Sequence, residues 1–285
     1  MIKVLENEIE LTGFGLSLDV EGENLYSKKS EFQQVDIFKS KTLGNVLTLD
    51  GLMMTTEKDE FFYHKMIAHI PLIAHKNPEN ILVIGGGDGG TVREVLKHKS
   101  VKSIEMCEID GMVIEASKKF LPTISCGLDD SKVKIYVEDA IEFIKDKKNC
   151  YDVVLIDSTD PMGPGEGLFT EEFYTNVKNS LKEGGIVVPQ SESPVANVVE
   201  MGKMYKLLRK VFKNVAPYCG PIPTYPGGYW SWAFCSDDVE VPHCHKKVDK
   251  KRAAEIAKLC KLYNPRTQTS AFDVPNFVKE IAGVE

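Results

Sequence analysis

Ile81-Leu82-Val83-Ile84 runs without a polar side chain directly into Gly85-Gly86-Gly87-Asp88-Gly89-Gly90. A short continuous apolar run predicts a buried strand, and glycines directly behind it let the main chain pass close to a neighbour or a ligand. A helix is expected from Thr91 to His98. Strand, tight turn and helix in that order form the first half of a nucleotide-binding unit, whose ligand lies beyond the carboxyl end of the strand.

Asp88 narrows the choice of ligand. A loop built for a pyrophosphate offers backbone N–H groups and a helix N-terminus to an anion, and a carboxylate there opposes it. The objection extends, less strongly, to a ligand bringing its own carboxylate, such as the amino-acid end of S-adenosylmethionine. A cationic group fits instead. The competing reading is structural, with Asp88 capping the following helix.

Around this loop the pattern divides the chain in two. Residues 1–55 read as a small antiparallel β domain: Leu16, Leu18 and Val20 alternate, Val35 and Ile37 flank Asp36, and Val46 to Leu49 follow a hairpin connection at Lys41 to Asn45, with a second turn at Asp50-Gly51. Residues 56–285 form the second domain. A helix is expected to start at Thr55-Thr56 with Glu57, Asp59 and Glu60 in its first turn, and Phe62, Met66, Ile70 and Ile73 mark its apolar face. Tyr63 reads as a half-buried packing residue, His64, His69 and His75 share no metal-ligand pattern, and Pro71 and Pro78 punctuate the approach to the central strand. From Ile81 onward strands and helices alternate, which predicts an α/β domain with a mostly parallel, doubly wound sheet. The strands are Lys102 to Cys107, Val133 to Val137, Tyr151 to Ile156, Ile186 to Pro189 after a Gly184-Gly185 turn, Val215 to Cys219 and Tyr229 to Cys235; a helix is expected from Val195 to Val211 and a helical tail from Lys250.

Acids gather at the strand ends. Glu108 is the candidate for ribose hydroxyls, with Asp110 two residues on as the alternative or as a helix cap; Asp139, beside Ala140, is either an acceptor for an adenine amine or an N-cap. Asp157 and Asp160 stand on one strand-end loop, and no Lys or Arg occupies these loops. Crowded carboxylates need protons or cations, so a cationic ligand set is the economical explanation. No Ser-His-Asp or Cys-His nucleophile and no zinc spacing is evident; His243-Cys244-His245 reads as an exposed loop. A net charge of −7 argues against a nucleic-acid surface, no run approaches the roughly 20 apolar residues of a membrane span, and seven scattered cysteines form no framework. A cytoplasmic protein with small-molecule partners is expected.

Taken together, Phe32-Gln33, Leu49-Asp50-Gly51, Thr56 to Phe61, Tyr63-His64, Ile84 to Gly90, Arg93-Glu94-Val95, Cys107 to Asp110, Asp157-Ser158-Thr159-Asp160-Pro161, Leu168-Phe169 and Thr224-Tyr225-Pro226 resemble the polyamine aminopropyltransferases over nearly the whole chain. The resemblance implies a Rossmann-like, methyltransferase-type catalytic domain. It implies transfer of an aminopropyl group from decarboxylated S-adenosylmethionine, a co-substrate that lacks the carboxylate, to a diamine, with no metal or other cofactor. It assigns Asp88 to the aminopropyl ammonium, Glu108 to the ribose, Asp139 to the adenine, and Gln33, Gly85, Gly86 and Ala140 to the same pocket. Asp157 is then the acid–base residue assisted by Tyr63, while His64, Asp160, Pro164, Gln190 and Tyr225 border the diamine. Putrescine is the expected acceptor, with agmatine, cadaverine and spermidine as alternatives, and a homodimer or homotetramer is implied. Rival classes are an S-adenosylmethionine methyltransferase, a non-catalytic polyamine-binding protein and an NAD oxidoreductase; Asp88 counts against the first and last, and the nucleotide loop and Glu108 against the second.

Overall fold

The computed structural model describes residues 2–5, 13, 15–160, 163–241 and 249–284, the side chains of 2–5, 163 and 164 excepted. Six short strands form an antiparallel sheet: β1 (Ile2–Leu5), β2 (Ser17–Val20), β3 (Tyr26–Lys29), β4 (Gln34–Ser40), β5 (Gly44–Leu49) and β6 (Leu52–Thr56), in the order β1-β2-β4-β5-β6 with β3 on β4. Asp50 (φ 50°) and Gly51 (φ 80°) turn β5 into β6, the left-handed backbone that a two-residue hairpin requires. Thr55 and Thr56 do not begin a helix. They pair with Leu47 and Val46 as the end of β6, and the acids behind them form a turn in which Thr56 Oγ1 and Asp59 Oδ1 lie 2.6 Å apart. β-Branched threonines suit the pleated edge, and the helix starts only at Phe61.

That helix, α1 (Phe61–Ala74), is buried from Tyr63 to Ile73, so its stripe pattern understates its burial. Pro71 lies inside it rather than breaking it. The C-terminal tail holds its last turn: Gln268 Nε2 donates to Ile70 O at 2.7 Å, and the Arg252 guanidinium donates to Leu72 O (2.6 Å), His75 O (2.9 Å) and Lys76 O (3.1 Å). A cation on the open carbonyls of a helix end satisfies acceptors that have no partner within the helix.

The second sheet follows as β7 (Asn80–Gly85), α2 (Gly90–Leu96), β8 (Ser103–Glu108), α3 (Gly111–Phe120), α4 (Pro122–Ser125), β9 (Val133–Val137), α5 (Ala140–Lys145), β10 (Tyr151–Asp157), α6 (Glu171–Ser180), β11 (Leu181–Pro189), α7 (Val198–Val211), β12 (Asn214–Pro221) and β13 (Tyr229–Ser236). The tail adds α8 (Lys250–Ala257), α9 (Thr267–Ser270) and α10 (Asn276–Ala282). Strand order is β12-β13-β11-β10-β7-β8-β9, parallel from β9 to β11, with β13 antiparallel to both of its neighbours. α1, α2 and the tail as far as Phe272 cover one face; α5, α6, α7 and α10 cover the other. The chain leaves β7 toward β9 and returns to β10, so the crevice of this doubly wound sheet opens between the ends of β7 and β10. Element ends differ in detail from the sequence reading: α2 begins at Gly90 and stops at Leu96, α7 begins at Val198 rather than Val195, and Gly184-Gly185 lies within β11.

The two sheets meet through side chains. Val35, Ile37, Leu47 and Leu49 pack on Val113, Ala116, Leu121 and Ile124 around α3 and α4. Asn45 Nδ2 donates to Phe120 O at 2.7 Å, and Ser30 Oγ and Gln33 Nε2 donate to Asp110 Oδ2 at 2.7 and 3.0 Å. Replacing Arg252 by alanine leaves three carbonyls at the end of α1 without their cation; we expect a loss of roughly 2 kcal/mol, read by urea denaturation, with the spectroscopic signature of the native state retained.

Candidate active site

Register sets the geometry. Gly85 pairs with Asp157 across β7 and β10, Gly86 N–H donates to Asp157 O at 2.9 Å, and a Cβ on Gly85 (φ 76°) would stand 2.2 Å from that same oxygen. Only glycine permits this approach. It brings the carboxylate of Asp157 under the loop that carries Asp88, and the two share one cleft with Gln33, Tyr63, His64, Gly85, Gly86, Glu108, Asp139, Ala140, Asp160, Gln190 and Tyr225. Of the residues singled out in the sequence, Pro161, the Pro164 side chain and His243-Cys244-His245 lie outside the described residues.

The loop end of the cleft is more thoroughly wired than its sequence suggested. Asp88 Oδ1 accepts from Gly90 N at 2.8 Å, so it does cap the start of α2, and its Oδ2 faces His64 Nε2 at 3.2 Å. One carboxylate therefore both meets the first N–H of α2 and lines the cleft. No Lys or Arg occupies the strand-end loops themselves, but α1 and α2 supply His64 and, behind it, Arg93, whose Nη2 lies 2.7 Å from Glu60 Oε2. Burial disfavours charge on Asp88, yet the His64 charge and its hydrogen bonds outweigh it and hold the carboxyl below its usual range. For Asp157 burial dominates and Asp88 adds to it, while His64 and hydrogen bonds from Thr91 and Tyr63 oppose; the carboxyl ends above its usual range. Thr91 Oγ1 donates at 2.6 Å. One ionised acid beside one acid of raised proton affinity is the arrangement in which the second can act as a base near neutral pH.

Tyr63 is not a half-buried packing residue. It is 6% exposed, hydrogen-bonds Asp157, and stands 5.8 Å from the Tyr225 ring and 5.5 Å from that of Trp232. Tyr225 Oη donates to Met54 O at 2.6 Å and Thr224 Oγ1 lies 2.7 Å from Asp59 Oδ2, which pins the 224–228 turn onto the end of the first sheet. The acids behind β8 and β9 separate by partner. Asp110 caps α3 through Met112 N (3.0 Å) and holds Gln33, leaving Glu108 to face the cleft. Glu108 accepts from Gly87 N (3.1 Å) and Asp110 N (3.0 Å), and burial pushes its carboxyl up to about 7 despite them. Asp139 caps α5 through Ile141 N (2.8 Å) and also lines the cleft.

Sequence reading passed over Glu192, Thr91 and Trp230. Glu192 takes a left-handed backbone (φ 72°), is 1% exposed, accepts from Gln190 Nε2 at 3.0 Å and hydrogen-bonds Asp160, whose carboxyl burial pushes up. Its signal was an acid at the end of a strand. Trp230 stacks edge-on against Tyr225 at 4.8 Å and carried no signal beyond its residue type.

Elsewhere His69, Glu94 and Cys260 bring donor atoms within 4.8 Å of one another. Lys97 Nζ already lies 2.6 Å from each Glu94 oxygen and Arg93 joins it, so this carboxylate has its cations. Burial keeps His69 and His98 uncharged, and the consistent tautomers have His69 Nε2–H donating to Glu94 and His98 Nε2–H donating to His69 Nδ1.

Comparison with known proteins identifies the family. Residues 60–247 match the family model of the spermine/spermidine synthase domain, and residues 5–57 that of the spermidine synthase tetramerisation domain. The chain belongs to the spermine/spermidine synthase family. It is an aminopropyltransferase of polyamine biosynthesis. It is similar to the polyamine aminopropyltransferase of Alkaliphilus metalliredigens (46% identity, 90% of each chain) and to that of Thermotoga maritima (44%, 91% of this chain and 87% of the relative). Among solved structures it resembles a spermidine synthase in complex with the transition-state analogue AdoDATO (TM-score 0.93, 42% identity, 99% of this chain and 95% of the other). The spermidine synthase of Thermotoga maritima superposes with a TM-score of 0.92, at 42% identity over 99% of this chain and 94% of the other.

In this synthase fold Glu108 should be visible as a titration. Its carboxyl rises from an ordinary 4.5 to about 7, so the native state holds an extra proton between those values. Its contribution to stability therefore falls as pH rises from 4.5 to 7 and is flat above. We expect a Glu side-chain carbon resonance titrating near pH 7 that Glu108→Gln removes, together with a smaller loss of stability between pH 5 and 8 in that variant.

Proposed function

We propose that this enzyme transfers the aminopropyl group of decarboxylated S-adenosylmethionine to putrescine, giving spermidine and 5′-methylthioadenosine. The observation that carries this reading is the convergence of Asp88, Asp157 and Asp160 in one aromatic-walled cleft below the glycine loop. Three carboxyl positions in a row suit a donor ammonium, a reacting amine and a distal ammonium. Glu108 accepts from the ribose hydroxyls, and Asp139, Ala140, Gln33 and the Pro164 segment enclose the nucleoside.

An amine of putrescine is protonated at neutral pH, with a pKa near the 10.4 of lysine at about 10, and an ammonium has no lone pair. Asp157 takes one proton from it, Tyr63 and Thr91 keeping the carboxylate oriented. The freed nitrogen lone pair attacks the methylene bonded to the sulfonium sulfur, in line. A C–N bond forms, the C–S bond breaks, and its electrons remain on sulfur as a neutral thioether; the new amine stays protonated. Holding the reacting atoms about 3 to 3.5 Å apart supplies much of the rate. Asp160, with Glu192 and Gln190, takes the distal ammonium, and the faces of Tyr63 and Tyr225 suit the methylenes between. His64 borders the diamine beside Asp88. The chemistry needs no resident cofactor or metal, because the sulfonium is already activated.

The match of residues 5–57 to a tetramerisation domain supports a homo-oligomer, a dimer or a tetramer. The described cysteines are free thiols, which supports a cytoplasmic location, and among the described residues no helix is long and apolar enough to cross a membrane.

Purified enzyme given the donor with putrescine, cadaverine, agmatine or spermidine should release 5′-methylthioadenosine fastest with putrescine, followed by mass spectrometry; a stronger rate with another amine would move the acceptor, and none would reject the reaction. Asp157→Asn should lower kcat by at least about 10²-fold, the lower end of what a positioned base contributes, with 5′-methylthioadenosine affinity kept. Asp88→Asn should weaken the donor about tenfold and 5′-methylthioadenosine little, since only the donor carries the ammonium.

A further inference from the structure

His64 is wedged between two carboxylates. Its Nδ1 lies 2.6 Å from Glu60 Oε2 and its Nε2 lies 3.2 Å from Asp88 Oδ2, with the ring 3% exposed. A neutral imidazole has one N–H and one lone pair, so it can donate to one of these acids only by turning its lone pair on the other. Both contacts are attractive when the ring carries both protons. The ring has no room to turn away, because a Cβ on Gly90 would stand 2.2 Å from its Cε1.

Glu60 is itself held. Arg93 Nη2 reaches the same Oε2 at 2.7 Å while Nη1 donates to Thr123 O at 3.0 Å and Nε to Glu94 Oε1 at 3.0 Å. The row from Arg93 on α2, through Glu60 on the turn before α1, to His64 on α1 and Asp88 on the glycine loop therefore alternates in charge. The Tyr63 ring stands edge-on to the imidazole, with centroids 5.5 Å apart, and the Asp157 carboxyl at the end of β10 feels the His64 charge.

We propose that Glu60, fixed by Arg93, is a positioning residue for the donor end of the cleft: it holds His64 as an imidazolium with Nε2 on Asp88, so that Asp88 is oriented and ionised before the donor's ammonium arrives. This rests on the reading that Asp88 receives that ammonium. The two carboxylates do raise the proton affinity of His64 well above its ordinary value, against the effect of burial. Without the Glu60 charge the imidazole loses a proton at lower pH, its lone pair faces Asp88 or Glu60, and Asp88 and Asp157 stand side by side with no cation between them. One of the pair then keeps a proton, which removes either the donor's anchor or the base.

Two measurements test this. In the ligand-free wild-type enzyme, nitrogen chemical shifts of the His64 ring should report an imidazolium through pH 8, and in Glu60→Gln the same ring should titrate at least about one pH unit lower, the loss of one charged hydrogen bond. In steady state Glu60→Gln should raise KM for decarboxylated S-adenosylmethionine about tenfold, leave the affinity for 5′-methylthioadenosine unchanged, and move the acidic limb of kcat to higher pH; Glu60→Asp should recover part of each effect. A neutral His64 ring at pH 7 in the wild type, or a Glu60→Gln enzyme with unaltered donor KM and pH profile, overturns the proposal. Failure of the wild type to transfer an aminopropyl group would overturn the proposed reaction instead, and the ring titration would still decide the charge of His64.

Discussion

The site depends on one close approach: the glycine loop behind β7 lies against the last residue of β10. Gly86 N–H on Asp157 O at 2.9 Å closes it, and the bare Cα of Gly85 makes room for it. A side chain at Gly85 would push the two strand ends apart and separate the carboxylates that the loop and the strand carry. The parallel register between β7 and β10 fixes this contact, and the buried branched side chains of both strands fix the register.

Bringing acids together raises the problem of their charge. The protein resolves it differently at the two ends of the cleft. Near the loop it supplies its own cations, His64 and Arg93, in an alternating row that keeps Asp88 ionised. Toward the 224–228 turn no cation is paired with Asp160 among the described residues; it hydrogen-bonds Glu192, and burial pushes its carboxyl up. Asp157 sits between these regimes with its proton affinity raised by burial and by Asp88. The difference between the two ends suits a ligand set whose charges lie in different places.

The first sheet has a second use besides its own packing. Gln33 reaches Asp110, Met54 O accepts from Tyr225, and Asp59 meets Thr224, so residues near the ends of β4 and β6 fix the side wall of the cleft. The tail acts from the opposite side by holding the end of α1, the helix that carries Tyr63 and His64. The tail thus holds the site from behind, whereas the first sheet also lines the cleft through Gln33, Leu49 and Met54.

The strands, the glycine loop and the acids at the strand ends were legible because each is written locally: an apolar run, a glycine cluster, a carboxylate at a boundary. The places of Glu108, Asp139, Asp157 and Asp88 in the cleft follow from that grammar. Thr55-Thr56 misled because acids after threonines imitate a helix start, whereas pairing with Val46 and Leu47 commits them to a strand. Tyr63 looked like a packing residue because a helix stripe does not reveal what the neighbouring strand end presents. The row Arg93, Glu60, His64 and Asp88 joins a helix, a turn, a second helix and a loop, and the His69, His98, Glu94 and Cys260 group draws on segments still farther apart. The sequence by itself determined which groups stand at the ends of which elements; the tertiary structure decided their charge, because proton affinity depends on burial and on partners brought from distant parts of the chain.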